Sequence, residues 1–347
     1  MFAGRFALDE ATQSRYLRTS WLLVAQEPIR ISDSASILPI SDDQAQRVAD
    51  TIQKKNVFVR HSRERHFYVD RACELADRTV IEIFAPGDPQ TIAESAAIEA
   101  TLIEQLLVLA STFSLDRRSL QKKLAVSIKP PDEIELIIGP KFHFIRSRKR
   151  GGMRGKPGLP VNKRLVKTFN AFGLAVLLKQ AQRPGIQARI AACLGWLYQS
   201  RTEPDLAAAV VKTAIACETL LIFSESESLA QTLSERVAFI VGRTTSERRL
   251  LSRTVKRFYE IRSGIVHGSK RKRKHLSYEM LEIADRLVLA AALTIQDPRN
   301  SWTTTDDVHL WCEDQRWAKN IFNQQSPIPK RNLDTLLAAA TLVMALE

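Results

Sequence analysis

The sequence predicts an α+β N-terminal region followed by an all-α helical bundle, and three observations predict it. Short β-rich runs alternate with helical stretches over roughly the first 140 residues. After Val161 the strand pattern stops, and Leu, Ile, Val, Ala and Phe recur only at helical spacing. Between the two regions lies RSRKRGGMRGKPGLP, rich in Gly, Pro and cations, with little that could pack. The length of 347 residues, at roughly 150 per domain, fits two domains. The expected division is residues 1–160, 161–300, and a C-terminal extension at 301–347 with a terminal helical pattern over Leu333–Leu346.

In the first region, Ser41–Lys55 reads as a short helix with two acids in its first turn. Strands are expected at Asn56–Arg60, His66–Val69 and Thr79–Phe84, the last ending at the turn cluster Ala85-Pro86-Gly87-Asp88. A long helix is expected over Thr91–Phe113. The apolar runs Leu124–Ile128 and Ile134–Ile138 flank a Pro130-Pro131 break. Pro140 to Pro160 reads as an exposed linker. The second region carries six helical patterns: Lys163–Gln182, Ile186–Ser200, Pro204–Phe223, Ser228–Val241, Thr245–Val266 and Ser277–Gln296. Pro204 suits a first turn, Gly242 a C-cap, and Thr244 with Glu247 a capping box.

Composition narrows the function classes. Hydrophobic residues at 45% and charged ones at 26% exclude wholesale disorder. Four scattered cysteines, Cys73, Cys193, Cys217 and Cys312, exclude a disulfide scaffold and a cysteine zinc cluster, and fit a reducing compartment. Asp9 and Glu10 interrupt the N-terminus before a leader-type apolar run forms. The nearly apolar stretches Leu287–Ile295 and Leu336–Leu346 are shorter than the ~20 residues of a membrane span. A cytoplasmic chain without a membrane partner is expected.

The net charge of +13 is concentrated. From Leu136 to Thr202 there are fourteen Lys and Arg and no acid, while the rest of the chain holds 37 bases against 38 acids. A single-sign segment points to a polyanion, because phosphates gain from counterion release at such a surface. A solvated basic loop beside ordinary helices is the plainer alternative.

Most catalytic constellations are missing: there is no GxSxG, HExxH, dinucleotide glycine fingerprint or Asp-x-Asp. Gly151-Gly152-Met153-Arg154-Gly155-Lys156 fails as a phosphate loop. It is one residue short, Pro157 replaces Ser or Thr, and no strand is expected to lead into it. His309 and Cys312 near Asp306, Asp307, Glu313 and Asp314 make a poor zinc site in what reads as a polar loop. His61 and His66 sit among arginines, which suits neither a metal nor a base. No metal and no cofactor are expected.

One stretch is different: Phe258-Tyr259-Glu260-Ile261-Arg262-Ser263-Gly264-Ile265-Val266-His267-Gly268, which runs into Lys270, Arg271, Lys272, Arg273 and Lys274. Arginine offers bidentate donors to a phosphoryl oxygen, and histidine moves protons in either direction near neutrality. On a regular helix, however, five residues at about 100° each set Arg262 and His267 roughly 140° apart. They converge only if the helix ends near Gly264–Gly268, or if a second chain completes the site. Ser263 and His267 are an i,i+4 pair on one face. The structural alternative has Arg262 paired with a bundle carboxylate and His267 capping the helix C-terminus. Glu218 and Arg236 stand in apolar runs, so each needs a partner: Glu218–Arg236 or Glu218–Arg262.

The string Tyr259, Arg262, Ser263, Val266, His267, Gly268 resembles the Tyr-x-x-Arg-Ser-x-x-Val-His-Gly pattern of the Apea-like branch of the HEPN domains. Ala216-Cys217-Glu218-Thr219-Leu220-Leu221 is similar to that family's Leu-Glu-x-Leu-Leu helix, with Cys217 where Leu is usual. Ser234-Glu235-Arg236-Val237-Ala238 is similar to the helix that follows. The resemblance covers residues 161–300 and not the first 140 or the last 50. It implies an all-α HEPN-type bundle acting as a homodimeric, metal-independent endoribonuclease, in bacterial anti-phage defence.

Under that resemblance His267 is the general base or acid at the ribose 2′-hydroxyl or the leaving oxygen, and Arg262 stabilises the phosphorane. Ser263 orients His267, Glu218 holds Arg262, and Tyr259 lines the cleft, with Arg236 supporting. The expected RNA-binding residues are Lys270 to Lys274, Arg148, Lys149 and Arg150, and the N-terminal region would sense a trigger. The rival reading is a non-catalytic HEPN module for nucleic-acid binding or dimerisation. Nucleotidyl transfer needs an acidic metal-binding partner, and without an Asp-x-Asp this chain could only be its acceptor.

Overall fold

The computed structural model describes residues 13–20, 23–55, 70, 72–87, 89–124, 133–138, 143–148, 158–180, 185–224, 228–269, 276–317 and 326–345. The chain divides into two compact units: residues 1–104 with 123–166, and residues 105–122 with 167–347.

The first unit is built on an antiparallel sheet of six strands: β1 (Gln13–Ser20), β3 (Ile29–Arg30), β4 (Ala35–Ile40), β5 (Arg78–Pro86), β6 (Glu133–Ile138) and β7 (His143–Arg148). Their order is β3-β4-β5-β1-β6-β7. A separate parallel pair joins β2 (Leu23–Ala25) to β8 (Leu159–Val161). Helix α1 (Asp42–Lys55) follows β4, and Leu17, Val80, Leu136 and Ile138 of the sheet share one core cluster with its Ala45, Val48 and Ala49.

The central strand β1 was not expected from sequence. Its arginines obscured the alternation of a strand, and both turn out to be buried and paired. Arg15 pairs with Glu82 of β5, while Arg18 bonds Glu104 at 2.9 Å and Thr101 at 2.6 Å on α2 (Pro89–Ala110). The expected strand over Thr79–Phe84 and helices over 41–55 and 91–113 are present as β5, α1 and α2 with a short 3-10 extension. Asn56–Arg60 and His66–Val69 lie outside the described residues. The expected linker over 140–160 is partly strand: β7 ends at Arg148 and β8 begins at Leu159, so a strand does precede Gly151. The intervening loop lies outside the described residues.

The stretch Ile92–Phe113 is long and apolar enough to cross a membrane, but 67% of its most apolar window is buried inside the protein, as in a core helix.

The second unit is all helical: α3 (Arg117–Leu124), α4 (Lys163–Ala171), α5 (Leu174–Gln180), α6 (Ile186–Thr202), α7 (Leu206–Leu221), α8 (Leu229–Val241), α9 (Thr245–Val266), α10 (Tyr278–Gln296), α11 (Thr305–Trp317) and α12 (Lys330–Ala345). The single helix expected over Lys163–Gln182 breaks between α4 and α5 at Gly173, whose φ of +67 a side chain would strain. Pro204 precedes α7 rather than opening its first turn. The N-cap is Asp205, whose carboxylate accepts from Ala208 N–H at 2.6 Å. The Thr244/Glu247 capping box and the Gly242 C-cap are present.

Residues 105–122 and 301–347, expected elsewhere, both belong to this unit. Residues 301–347 supply α11, against α8, and α12, against α9 and α10. A buried polar cluster and an edge-on Phe113–Phe172 contact hold 105–122. In that cluster Asp285 of α10, its side chain fully buried, accepts from Arg117 at 2.6 Å, Arg201 at 3.4 Å and the Thr213 hydroxyl at 2.6 Å. Arg117 also donates to the Ser200 hydroxyl at 2.7 Å, and Arg201 to Glu282 at 3.2 Å.

Two expectations follow. Asp285→Ala leaves two buried guanidiniums short of a counter-charge, so it should cost about 3–5 kcal/mol in denaturant unfolding. An unchanged midpoint would contradict the cluster's role. Cys193, Cys217 and Cys312 are buried, and burial pushes the Cys217 and Cys312 thiols up to about 12. A native-state thiol titration should therefore count no more than one reactive cysteine, Cys73, until denaturant exposes the rest.

Candidate functional site

Helix α9 carries the candidate site at its C-terminal end. Four turns of regular helix bring Tyr259, Arg262 and Ser263 to that end, and His267 is the C-cap, its backbone N–H donating to Ser263 O at 3.0 Å. The helix stops there because Gly268 takes φ +72, a left-handed conformation that lets the chain reverse. Since the helix stays regular through Val266, Arg262 and His267 leave it on different faces, roughly 140° apart. One chain does not bring the two side chains together.

Arg262 faces the bundle. Its Nη2 lies 3.3 Å from Glu218 Oε1 on α7, and both side chains are about one-fifth exposed. Of the two pairings open to Glu218, the structure takes the one with Arg262. Burial raises the Glu218 carboxyl above its ordinary value of 4.5, and the Arg262 charge opposes that shift. Tyr259, one turn earlier, is 5% exposed and donates its hydroxyl to Ala214 O at 3.1 Å, so it is a core residue tying α9 to α7. Burial, with Cys217 and Glu218 nearby, pushes its phenol well above 10. His267 and its neighbour Val266 are exposed.

Arg236 is elsewhere. From α8 it donates to Leu221 O at the end of α7 and to His309 Nδ1 at 2.7 Å, and it stacks 4.5 Å over the Phe223 ring. Arg189 of α6 caps the same helix end through Thr219 O at 2.9 Å and Ile222 O. A helix C-terminus leaves four carbonyls unsatisfied, and these two cations answer several of them. His309 and Cys312 lie on α11 rather than on the expected loop. A guanidinium has no acceptor, so His309 accepts at Nδ1. No group of His, Cys, Asp or Glu among the described residues is arranged to hold a metal.

Lys270 to Lys274, Lys149 and Arg150 lie outside the described residues, as do His61 and His66, and Arg148 is described only as the last residue of β7. The acid-free segment does not form one cationic surface, because Arg201 is fully buried and Arg189 serves a helix end. The Asp285 cluster was missed in the sequence, although a lone acid inside the apolar run Leu281–Ile295 was its signal.

No family model, curated protein or solved structure matches the chain.

The Glu218 shift fixes a pH dependence. With the folded carboxyl raised, the folded state binds more protons than the unfolded one above pH 4.5. Stability contributed by this group is full below the unfolded pKa and declines as pH rises through the folded one. Glu218→Gln should flatten that decline in unfolding midpoints measured from pH 4 upward; an equal slope in both proteins would show that Glu218 is not the group responsible.

Proposed function

We propose that the chain is a metal-independent endoribonuclease of the HEPN type, built as a homodimer around α9. The observation that carries this reading is an arginine locked to a bundle carboxylate one turn before an exposed C-cap histidine, on a helix whose next residues are five consecutive cations. Holding Arg262 against Glu218 limits its rotamers, so less order remains to be imposed when it meets a phosphate. His267, at the accessible end, supplies proton transfer at the ribose 2′-hydroxyl or the leaving oxygen. The 2′-oxygen attacks phosphorus in line, the 5′-oxygen leaves with a proton, and a 2′,3′-cyclic phosphate remains. DNA, lacking the nucleophile, is spared. Because the two side chains diverge on one helix, each phosphate takes Arg262 from one protomer and His267 from the other. Ser263, four residues before His267, helps set its orientation. Anti-phage defence is the setting that the resemblance suggests for such an enzyme.

A non-catalytic nucleic-acid-binding module is the second reading, favoured by the use of Arg262 in an ion pair that also fixes the bundle.

An RNA digest in EDTA separates the two. Cleavage should leave cyclic-phosphate ends. His267→Ala should slow it by about 10²–10⁴, and Arg262→Ala by about 10²–10³, with the dimer intact in both. Mixing the two single variants should restore part of the activity through hybrid dimers. Binding of RNA without cleavage by any variant would favour the module.

A further inference from the structure

In the helical unit, the junction of α4 and α5, the C-terminal end of α10, the turn after it and Pro327 enclose a cleft of about 480 Å³. That is the size of a small-molecule site, and its lining is mixed in the way such sites require. Phe172, Val176 and Leu293 supply apolar wall, Trp302 an aromatic one, and Gln187 and Gln296 polar groups. None of these residues belongs to the α9 site.

Two amide oxygens in the lining are unanswered. Gln296 donates through Nε2 to Gly173 O at 2.8 Å, which fixes the orientation of its amide, since the flipped form would set two oxygens against each other. Its Oε1 is buried and has no hydrogen-bond partner among the described residues. Gln187 Oε1 is in the same position. Buried acceptors are normally satisfied, so two around one cleft call for donors from outside the chain. The cleft carries no free charge to go with them. Its carboxylate, Asp297, is taken by Arg299 through Nε at 2.9 Å and Nη2 at 2.5 Å. Trp302 is held edge-on against Trp311, with centroids 5.0 Å apart, and Ser301 turns the backbone beside it at φ +57.

We propose that this cleft binds a neutral, planar nitrogen heterocycle of nucleobase size. Its ring N–H or amino groups donate to Gln187 Oε1 and Gln296 Oε1, and its ring packs on Trp302. A cationic amine is disfavoured because the Asp297 charge is already neutralised. A free sugar lacks the flat face that the indole accommodates. The inference does not rest on the ribonuclease reading, and a nucleoside bound here is a candidate controller of whatever α9 does.

The test is calorimetric titration of the full chain with adenosine, guanosine, cytidine and uridine, with ribose and putrescine as controls. At least one nucleoside should bind saturably with a dissociation constant of about 1 mM or lower, the range in which small, few-contact ligands fall. Gln187→Met and Gln296→Met should each weaken binding about tenfold, the scale of one lost hydrogen bond. Val176→Trp, at a position 47% exposed, should fill the cleft and abolish binding while the circular dichroism spectrum stays native. His267→Ala should bind as wild type does, which separates this site from the α9 reading. Absence of binding by all four nucleosides, equal binding of ribose or putrescine, or nucleoside binding that survives Val176→Trp would each overturn the proposal.

Discussion

The helical unit depends on one buried carboxylate. Asp285 sits in the middle of α10, among Leu281, Ile283, Leu287 and Val288, where an unpaired charge would not be tolerated. It is tolerated because Arg117, Arg201 and Thr213 converge on it from α3, α6 and α7. Arg117 lies 168 residues earlier in the chain. This is why residues 105–122 are part of the helical unit although the strands β6, β7 and β8 intervene before α4. Apolar burial alone would have let several helix arrangements compete. Hydrogen bonds that need four elements at once leave far fewer.

The same logic governs the other buried charges. In the sheet, Arg15 and Arg18 of β1 are matched by Glu82 and Glu104 on opposite faces of the strand. At the end of α7, Arg189 and Arg236 answer carbonyls rather than carboxylates. On α9, Arg262 is matched by Glu218. A protein with a net charge of +13 thus uses several of its arginines internally, and its partner-facing charge is smaller and more local than the total implies.

For function, the consequence is a division of labour along α9. The residues that look catalytic in sequence are not equivalent in space: Tyr259 is core, Arg262 is anchored at the bundle surface, and only His267 stands open at the helix end. A helix that remains regular to Val266 separates Arg262 from His267 by geometry that no side-chain rotation closes. Any chemistry that needs both on one phosphate therefore needs two copies of the helix.

The sequence by itself determined the features that depend on neighbours within a turn or two. The α9 capping box, the stop at Gly268, the Gly242 C-cap and most helix limits of the second region are local matters of hydrogen bonding and backbone conformation. They could be read from Thr244 with Glu247, or from a glycine in place. Tertiary structure decided what depends on residues far apart in the chain. It made β1 a central strand despite its arginines, chose Arg262 over Arg236 for Glu218, and put His309 on a helix beside Arg236. It also left two glutamine oxygens facing a cleft that no local pattern announces. The physical reason is common to all of these. A charge or an amide inside a fold is placed by whichever partner satisfies it, and that partner's position is known only when the whole chain has packed.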